Sequence, residues 1–248
     1  MLQALAAAFA EDVTMPDGPR GFADGRSAVL AALGRDTLAA TSRLRWAPAR
    51  AAVSGDGSHG FTMGFMEIQR ADGSRVPLRY LAYWIRGAEG WQMRVFRRAP
   101  RGEGAVDTAY AGSLQGPATG GIVPAPALEE RRAELAATER AFSDSSQTIG
   151  LGEAFALFGH PQAWHLNGPA GPDLVRGREA VVRSVSTGVP PGTSPFVWGA
   201  DRTLVAPSGD FGVNLGVILR AEARGLPGFP FFTVWMRGRD GRWLYIAE

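Results

Sequence analysis

The feature that most constrains the fold of this chain is an internal repeat with a constant offset. Five pairs of residues lie 152 positions apart: Gly25 and Gly177, Trp46 and Trp198, Gly60 and Gly212, Gly64 and Gly216, and Trp91 and Trp243. Gly-Arg-Ser-Ala-Val from Gly25 matches Gly-Arg-Glu-Ala-Val from Gly177, and Trp84 and Trp235 lie 151 positions apart. This spacing predicts two diverged copies of one domain, so residues 20–98 and 170–248 should superpose with the same strand order.

The stretch between the two copies is rich in glycine and proline and has little apolar periodicity. Such a composition is typical of a linker. We therefore expect a first domain over residues 1–100, a flexible linker over residues 101–127 and a second domain over residues 128–248.

The second copy predicts an α+β fold. Apolar residues at helical spacing follow the acidic start at Glu129 and predict a helix to about Ser146. Two shorter helices and a strand follow, and then four strands predicted at 196–206, 211–223, 229–237 and 242–247. Helices followed by an antiparallel meander favour one curved sheet that is covered by helices on one face.

The first copy repeats this meander but not the long first helix, because only Leu2 to Phe9 precede its first strand. Both a late start of the chain and a trimmed copy remain open.

Composition excludes several classes of function. The chain has no cysteine, which excludes disulfides, thiolate metal sites and a cysteine nucleophile. No apolar run is long enough for a membrane span. The densest basic run, at Arg97, Arg98 and Arg101, does not predict a nucleic-acid partner. The opening residues lack a basic leader, so we expect a cytoplasmic protein, while a periplasmic or secreted one stays open if the true start lies upstream.

Three motifs accompany these elements. They are a Gly-Arg-x-Ala-Val helix, Ser-Gly-Asp turns at Ser54 and Ser208, and a closing Thr-Val-Trp-Met-Arg from Thr233 with Gly-Arg-Trp from Gly241. Together with the strand pattern they resemble the nuclear transport factor 2-like superfamily, and most of all its small bacterial members of unassigned function.

The resemblance implies two tandem cone-shaped domains, each a curved antiparallel sheet with helices packed on its concave face and a pocket between them. It also implies that the two copies pair within the chain, sheet to sheet, about a pseudo-two-fold axis. The superfamily includes ketosteroid isomerases, dehydratases, epoxide hydrolases, polyketide cyclases and non-catalytic domains, so the fold alone does not select a function.

In ketosteroid isomerases a carboxylate at the end of the first strand is the general base, and a tyrosine on the first helix binds the oxyanion. Asp17 matches the position of the base, but no tyrosine matches because the first copy lacks that helix. Asn167 stands at the same turn of the second copy and cannot act as a base. Both residues are also ordinary turn formers.

His165 is the other candidate catalytic group, because a histidine in a pocket can act as an acid or base near neutral pH. The alternative is a buried histidine whose hydrogen bonds are satisfied. Trp164 has no counterpart in the first copy and is therefore a candidate pocket wall. Only the second copy has a long helix to close its cone, so we expect the pocket there, lined by Trp164, His165, Asn167, Asn214 and Trp235.

No metal site or cofactor is predicted, since His160 and His165 have no evident third ligand. His59 falls in a glycine-rich turn and is expected to be solvated. Two functions remain open. One is binding of a small apolar molecule in a cone, with or without isomerase- or cyclase-like acid/base chemistry. The other is a non-catalytic interaction or assembly module formed by the paired domains.

Overall fold

The computed structural model describes residues 2–35, 43–114, 116, 121–166, 171, 173–222 and 225–248. The first copy and the segment after it contain α1 (Leu2–Ala8), β1 (Phe9–Pro16), a 3-10 turn (Gly18–Arg20), β2 (Phe22–Asp24), α2 (Arg26–Arg35), β3 (Arg43–Val53), β4 (His59–Gln69), β5 (Arg75–Gly87), β6 (Gly90–Pro100) and β7 (Ser113–Leu114). The second copy contains α3 (Ala125–Ile149), α4 (Leu151–Phe158), β8 (Gly159–His165), β9 (Val175–Arg176), α5 (Arg178–Val185), β10 (Phe196–Val205), β11 (Phe211–Arg220), β12 (Phe229–Arg237) and β13 (Trp243–Ala247).

The two copies have the same strand order. The first sheet runs β2-β1-β6-β5-β4-β3, and the second runs β9-β8-β13-β12-β11-β10. In each sheet the first long strand is parallel to the last strand of the meander, as β1 is to β6 and β8 is to β13. The tandem repeat and the α+β fold predicted from the sequence are confirmed.

The copies differ in their helices. The predicted helix of the second copy begins four residues earlier than expected, at Ala125, and runs to Ile149. Pro126 falls in its first turn, where the missing N–H of proline costs nothing. In the described part of the first copy, α1 and α2 are the helices that cover the sheet, and α1 has only 7 residues.

The segment predicted as a linker carries some regular structure. Its residues Ser113 and Leu114 form β7, which pairs in parallel with β3 at the edge of the first sheet. The last residues of the segment belong to α3. The domain limits at residues 100 and 128 remain predictions.

One repeated glycine marks a bulge that bends each sheet. The pairing of β3 with β4 shifts register between Pro48 and Arg50, and that of β10 with β11 shifts between Ala200 and Arg202. Gly64 and Gly216 lie opposite these bulges, where a Cβ would stand 2.1 Å from the Ala47 oxygen and 1.8 Å from the Gly199 oxygen. Only glycine fits there, which explains why this pair survives in both copies.

The faces of the two sheets that point away from the helices pack against each other. One buried apolar cluster contains residues of both copies, among them Phe61, Tyr83, Phe211 and Val213. The Phe211 ring stacks on Tyr83 with ring centroids 5.9 Å apart and lies 6.5 Å from Phe61. The two copies therefore pair within the chain.

Two arginines of the same repeat position cross this interface in opposite directions. Arg50 donates to the Gln162 side chain at 3.0 Å and lies over the Trp164 ring. Arg202 donates to Asp24 at 2.6 Å and lies over the Phe22 ring. Each arginine directly follows the bulge in its strand. The same repeat position of each copy therefore contacts the other copy across the interface.

The two Ser-Gly-Asp turns also meet at the interface. The Ser208 hydroxyl donates to Asp56 at 3.2 Å, and the Gly55 N–H donates to Asp210 at 3.1 Å. The expectation that His59 is solvated was wrong. It is buried beside this contact, and its Nδ1 lies 2.8 Å from the Tyr83 hydroxyl.

Among the described residues, no helix is both long enough and apolar enough to cross a membrane.

Candidate functional site

The second copy encloses a cavity of about 200 Å³ between its sheet and its helices. Its wall is mostly apolar and aromatic. It is lined by Glu139, Phe142, Leu151, Phe155, His165, Val185, Phe196, Trp198, Ile218, Phe231, Thr233 and Glu248. A concave apolar site with a few polar groups is the usual makeup of a small-molecule pocket.

The most unusual residue of the wall is Glu139, which α3 carries into the interior. Leu135, Glu139 and Phe142 follow at helical spacing on the buried face of this helix. Glu139 is fully buried. An ionisable side chain in such a position is costly unless it is hydrogen-bonded.

Three neutral N–H groups hold the Glu139 carboxylate. The indoles of Trp198 and Trp235 donate to it at 2.9 and 3.0 Å, and the Asn214 side-chain amide donates at 3.0 Å. The Asn214 oxygen in turn accepts from Thr203 at 2.6 Å, which fixes the orientation of the amide. The carboxylate is therefore rigidly placed at the cavity wall.

Burial raises the pKa of Glu139 to about 7, against an ordinary value of 4.5. The Glu248 carboxylate contributes to this rise, and the three donated hydrogen bonds oppose it. Burial has the largest effect. A carboxyl group with a pKa near neutral can both accept and donate a proton at physiological pH.

The second polar group of the cavity is His165, at the end of β8. It is buried, and its Nε2 lies 3.9 Å from the Glu248 carboxylate. Its ring also meets Phe155 edge to face, with centroids 6.2 Å apart. The expected position of His165 in a pocket of the second copy agrees with this geometry, while its catalytic role stays a prediction.

Aromatic rings form most of the remaining wall. Phe142 packs edge to face on Phe155 and Trp198, with centroids 4.8 and 4.9 Å apart. It also stacks on Tyr245 at 5.7 Å. The ring of Phe142 therefore joins the helices to the sheet.

Trp164 does not line this cavity, contrary to its predicted place in a pocket wall. Successive residues of a strand point to opposite faces, so His165 faces the cavity and Trp164 faces the other copy. There it belongs to the shared cluster of the interface, and the guanidinium carbons of Arg50 and Arg176 lie 5.3 and 4.8 Å from its ring centroid.

Asn214 and Trp235 lie behind the cavity wall, in contact with Glu139. Both donate to Glu139 and are not among the residues that line the cavity. Asn167, the other predicted lining residue, lies outside the described residues.

Asp17 lies in the first copy, in a wide polar cleft of about 510 Å³ with Arg35, Arg70 and Arg98. Its carboxylate forms an ion pair with Arg35. The structure therefore does not bring Asp17 and His165 into one site.

Aromatic side chains pack together on part of the matching concave face of the first copy. Trp46, the repeat partner of Trp198, lies with its ring centroid 4.0 Å from Tyr80 and 6.0 Å from Phe96. Phe9 packs on Phe96 at 5.6 Å. The cleft that remains on this face is the one that contains Asp17, and its wall includes Met15, Ala32 and Leu78 of the same apolar cluster.

Sequence reasoning missed Glu139, the best-placed ionisable group of the cavity. The signal was present, because an acidic residue between Leu135 and Phe142 interrupts the apolar stripe of a helix. Glu248 carried no comparable signal, since only the parallel pairing of β8 with β13 brings it near His165. In the part of the chain described here, no three His, Asp or Glu side chains are grouped as metal ligands.

Solved structures with a similar fold come from bacteria. One is a nuclear transport factor 2-like protein with a cystatin-like fold from Novosphingobium aromaticivorans (19% identity, 40% of this chain and 68% of that one, TM-score 0.32). Another is a nuclear transport factor 2-like protein of unknown function from Pseudomonas putida (16%, 41% and 74%, TM-score 0.32). A third is a ketosteroid isomerase-like protein from Erwinia carotovora atroseptica (16%, 40% and 80%, TM-score 0.29).

At such identities the likeness concerns the fold alone and carries no ligand or activity to this chain. No family model matches the sequence, and no curated protein matches it.

Proposed function

We propose that the second copy binds a small, largely apolar molecule in its cavity, and that Glu139 exchanges a proton with one polar group of that molecule. The observation that carries this proposal is a wholly buried carboxyl group at an aromatic cavity wall, with a pKa of about 7. Both protonation states are then populated near neutral pH, as acid/base chemistry requires.

The size of the cavity narrows the class of ligand. An apolar cavity of about 150 Å³ holds one benzene molecule. The cavity of about 200 Å³ here suits a molecule with one ring or two small rings, such as a monocyclic terpenoid or an aromatic ketone. A four-ring steroid is too large for it.

The chemistry follows from the two polar groups. The Glu139 carboxylate takes a proton from an acidic C–H or O–H bond of the ligand, and the resulting carboxylic acid returns it to another atom of the same molecule. No co-reactant is consumed, as in an isomerisation or a cyclisation. His165 is the second proton-exchanging group in this proposal, while Asn214 and Trp235 position Glu139.

A pair of matched variants tests the location of the site. Ile218 lines the cavity, and Leu219, the next residue of β11, is exposed on the other face of the sheet. One- and two-ring ketones and alcohols, with a steroid for comparison, are titrated against tryptophan fluorescence and thermal stability. We expect saturable binding of the small ligands, which Ile218→Trp abolishes and Leu219→Trp leaves unchanged.

The same titration contradicts the proposal if Ile218→Trp binds as well as the unmodified chain. If none of these ligands shifts either signal, the alternative of a non-catalytic module formed by the paired domains is favoured.

The pH dependence of affinity tests the role of Glu139. For the unmodified chain, the affinity should change as the pH passes through about 7, because the carboxyl group titrates there. In Glu139→Gln this dependence should disappear. Asp17→Asn should bind and respond to pH like the unmodified chain, and a loss of binding from this change alone would move the site to the first copy.

A further inference from the structure

The first copy has an exposed apolar groove at one end of its concave face. The groove encloses about 250 Å³ and is lined by Ala51, Ala52, Val53, Gly60, Phe61, Thr62, Trp84 and Trp91. Val53 is 45% exposed and Trp91 is 40% exposed, so two large apolar side chains on opposite sides of the groove meet solvent. Adjacent exposed apolar residues of this kind indicate an interaction surface.

The second copy shows what covers the same surface. The repeat partners of Val53 and Trp91 are Val205 and Trp243, which are 6% and 4% exposed. Both belong to the cluster that includes Leu135 of α3. The Leu135 side chain packs directly on Gly212 of β11, since a Cβ added to that glycine would stand 2.6 Å from it.

The first copy has the same strand residues around Gly60, and no helix of its described residues packs on them. The three atoms nearest to a Cβ added to Gly60, the repeat partner of Gly212, belong to the sheet itself, to Ala52, Val53 and Trp91. The described helices of this copy, α1 and α2, pack instead in a different cluster around Phe9 and Leu33.

We propose that this groove binds an amphipathic α-helix of another polypeptide, placed as α3 is placed on the second copy. A leucine of the partner helix would lie over Gly60, between Val53 and Trp91. The internal repeat is the argument for a helix, since the same strands with the same glycine and tryptophan positions already bind one within this chain.

A second feature narrows the sequence of the partner. In the second copy the Trp235 indole donates to Glu139, one helical turn after Leu135. In the first copy the Trp84 indole donates at 2.9 Å to the Thr62 hydroxyl, which stands at the repeat position of Asn214. The Thr62 hydroxyl accepts from Trp84 and keeps its own O–H to donate to a carboxylate, so the fitting helix carries leucine and an acidic residue four positions later.

The probe for this proposal is a fluorescently labelled peptide with the sequence of residues 125–149, added to the full chain. We expect saturable binding by fluorescence anisotropy. Trp91→Glu should weaken it by about tenfold or more, because a charge replaces one wall of the apolar groove. Val53→Glu, on the other side of the groove, should have the same effect.

Two controls distinguish binding in the groove from nonspecific binding of the peptide. Leu226→Glu changes an exposed leucine outside the groove and should leave the affinity unchanged. A peptide with Leu135→Asp should bind at least about tenfold more weakly than the original, because its groove-filling side chain is lost.

The proposal is overturned if no saturable binding occurs, or if Trp91→Glu and Val53→Glu bind the peptide like the unmodified chain, since the peptide would then occupy some other surface. It is also overturned if sedimentation shows that the chain itself dimerises and that Trp91→Glu makes it monomeric. The groove would then be covered by a second copy of the chain.

Discussion

The concave faces of the two copies start from the same strands and end as different structures. In the second copy, His165 and Glu248 lie at the cavity wall. Because β1 pairs with β6 as β8 pairs with β13, Met15 of the first copy takes the place of His165, and Phe96 takes the place of Glu248. Both are buried in the apolar cluster of the first copy. The second copy thus has two ionisable groups at these positions, and the first copy has two apolar side chains.

The difference shows how one helix can set the chemical character of a cavity wall. In the second copy, Glu139 of α3 binds the Trp198 indole and holds its ring at the wall. In the first copy Trp46 packs onto Tyr80 instead. Because a buried carboxyl group that loses a hydrogen-bond partner costs free energy, Glu139 favours the position of the Trp198 ring at the wall.

The largest loss of stability is expected from a substitution at the centre of the aromatic wall of the second copy. Phe142→Ala removes a fully buried ring that contacts Phe155, Trp198 and Tyr245. We expect the free energy of unfolding to fall by about 3 to 5 kcal/mol in urea titrations. Leu157→Ala, at an exposed position on α4, should change it by less than about 0.5 kcal/mol. Equal effects of the two changes would show that Phe142 is not the centre of this core.

The second prediction tests whether Glu139 is the group that distinguishes the copies. Its pKa is raised from 4.5 to about 7 by burial, so folding favours the protonated form. The stabilisation is complete below about pH 4.5 and is lost as the pH rises through about 7.

Relative to Glu139→Gln, the unmodified chain should therefore lose roughly 2 to 3 kcal/mol of stability across this range. Urea titrations of both proteins from pH 4.5 to 8 measure this loss. Parallel stability curves for the two proteins would mean that Glu139 titrates normally.

Much of the fold could be predicted from the sequence because its signals are local and repeated. The shared glycine and tryptophan positions led to the correct tandem architecture, and the turns at Ser54 and Ser208 bounded the central strands correctly. The repeated Gly64 and Gly216 could be recognised as a pair, but not as the partners of a bulge, since that depends on the register between two strands.

The site could be predicted only in part, because it depends on which face of a strand each residue occupies. His165 and Trp164 are neighbours in the sequence, and both were expected in one pocket. The pleat of β8 separates them, with one at the cavity and the other at the interface. The absence of a repeat partner for Trp164 reflects its contact with the other copy and not a pocket.

The third prediction concerns His59, an ionisable group that the interface buries on the first copy. Burial lowers its pKa from 6.5 to about 4, so folding favours the neutral ring. The stabilisation is complete above about pH 6.5 and is lost as the pH falls towards 4, opposite in sign to Glu139. We expect the unmodified chain to lose roughly 2 kcal/mol between pH 6.5 and 5 through this group.

The matched variant for His59 carries His59→Phe and Tyr83→Phe together. Phenylalanine is the residue at the repeat position of His59, since Phe211 precedes Gly212 as His59 precedes Gly60. Changing both partners of the hydrogen bond leaves no buried hydroxyl unpaired. The difference in stability between this double variant and the unmodified chain should grow below pH 6.5, and a constant difference would contradict the role of His59.

The smallest loss of stability should come from changing the two interface arginines, Arg50 of the first copy and Arg202 of the second. It tests whether the two copies contribute equally to their interface. Arg50 is 7% exposed and covers the Trp164 ring, whereas the Arg202 side chain is 40% exposed and pairs with an exposed Asp24. An exposed ion pair contributes little, while a buried cation over an indole contributes more.

We expect Arg50→Met to destabilise the chain by about 1 kcal/mol and Arg202→Met by about half of that or less. Raising the salt concentration should weaken only the Arg202 contribution, because the Arg50 contact is shielded from solvent. If both changes have the same size and the same salt dependence, the two contacts are energetically equivalent despite their unequal burial.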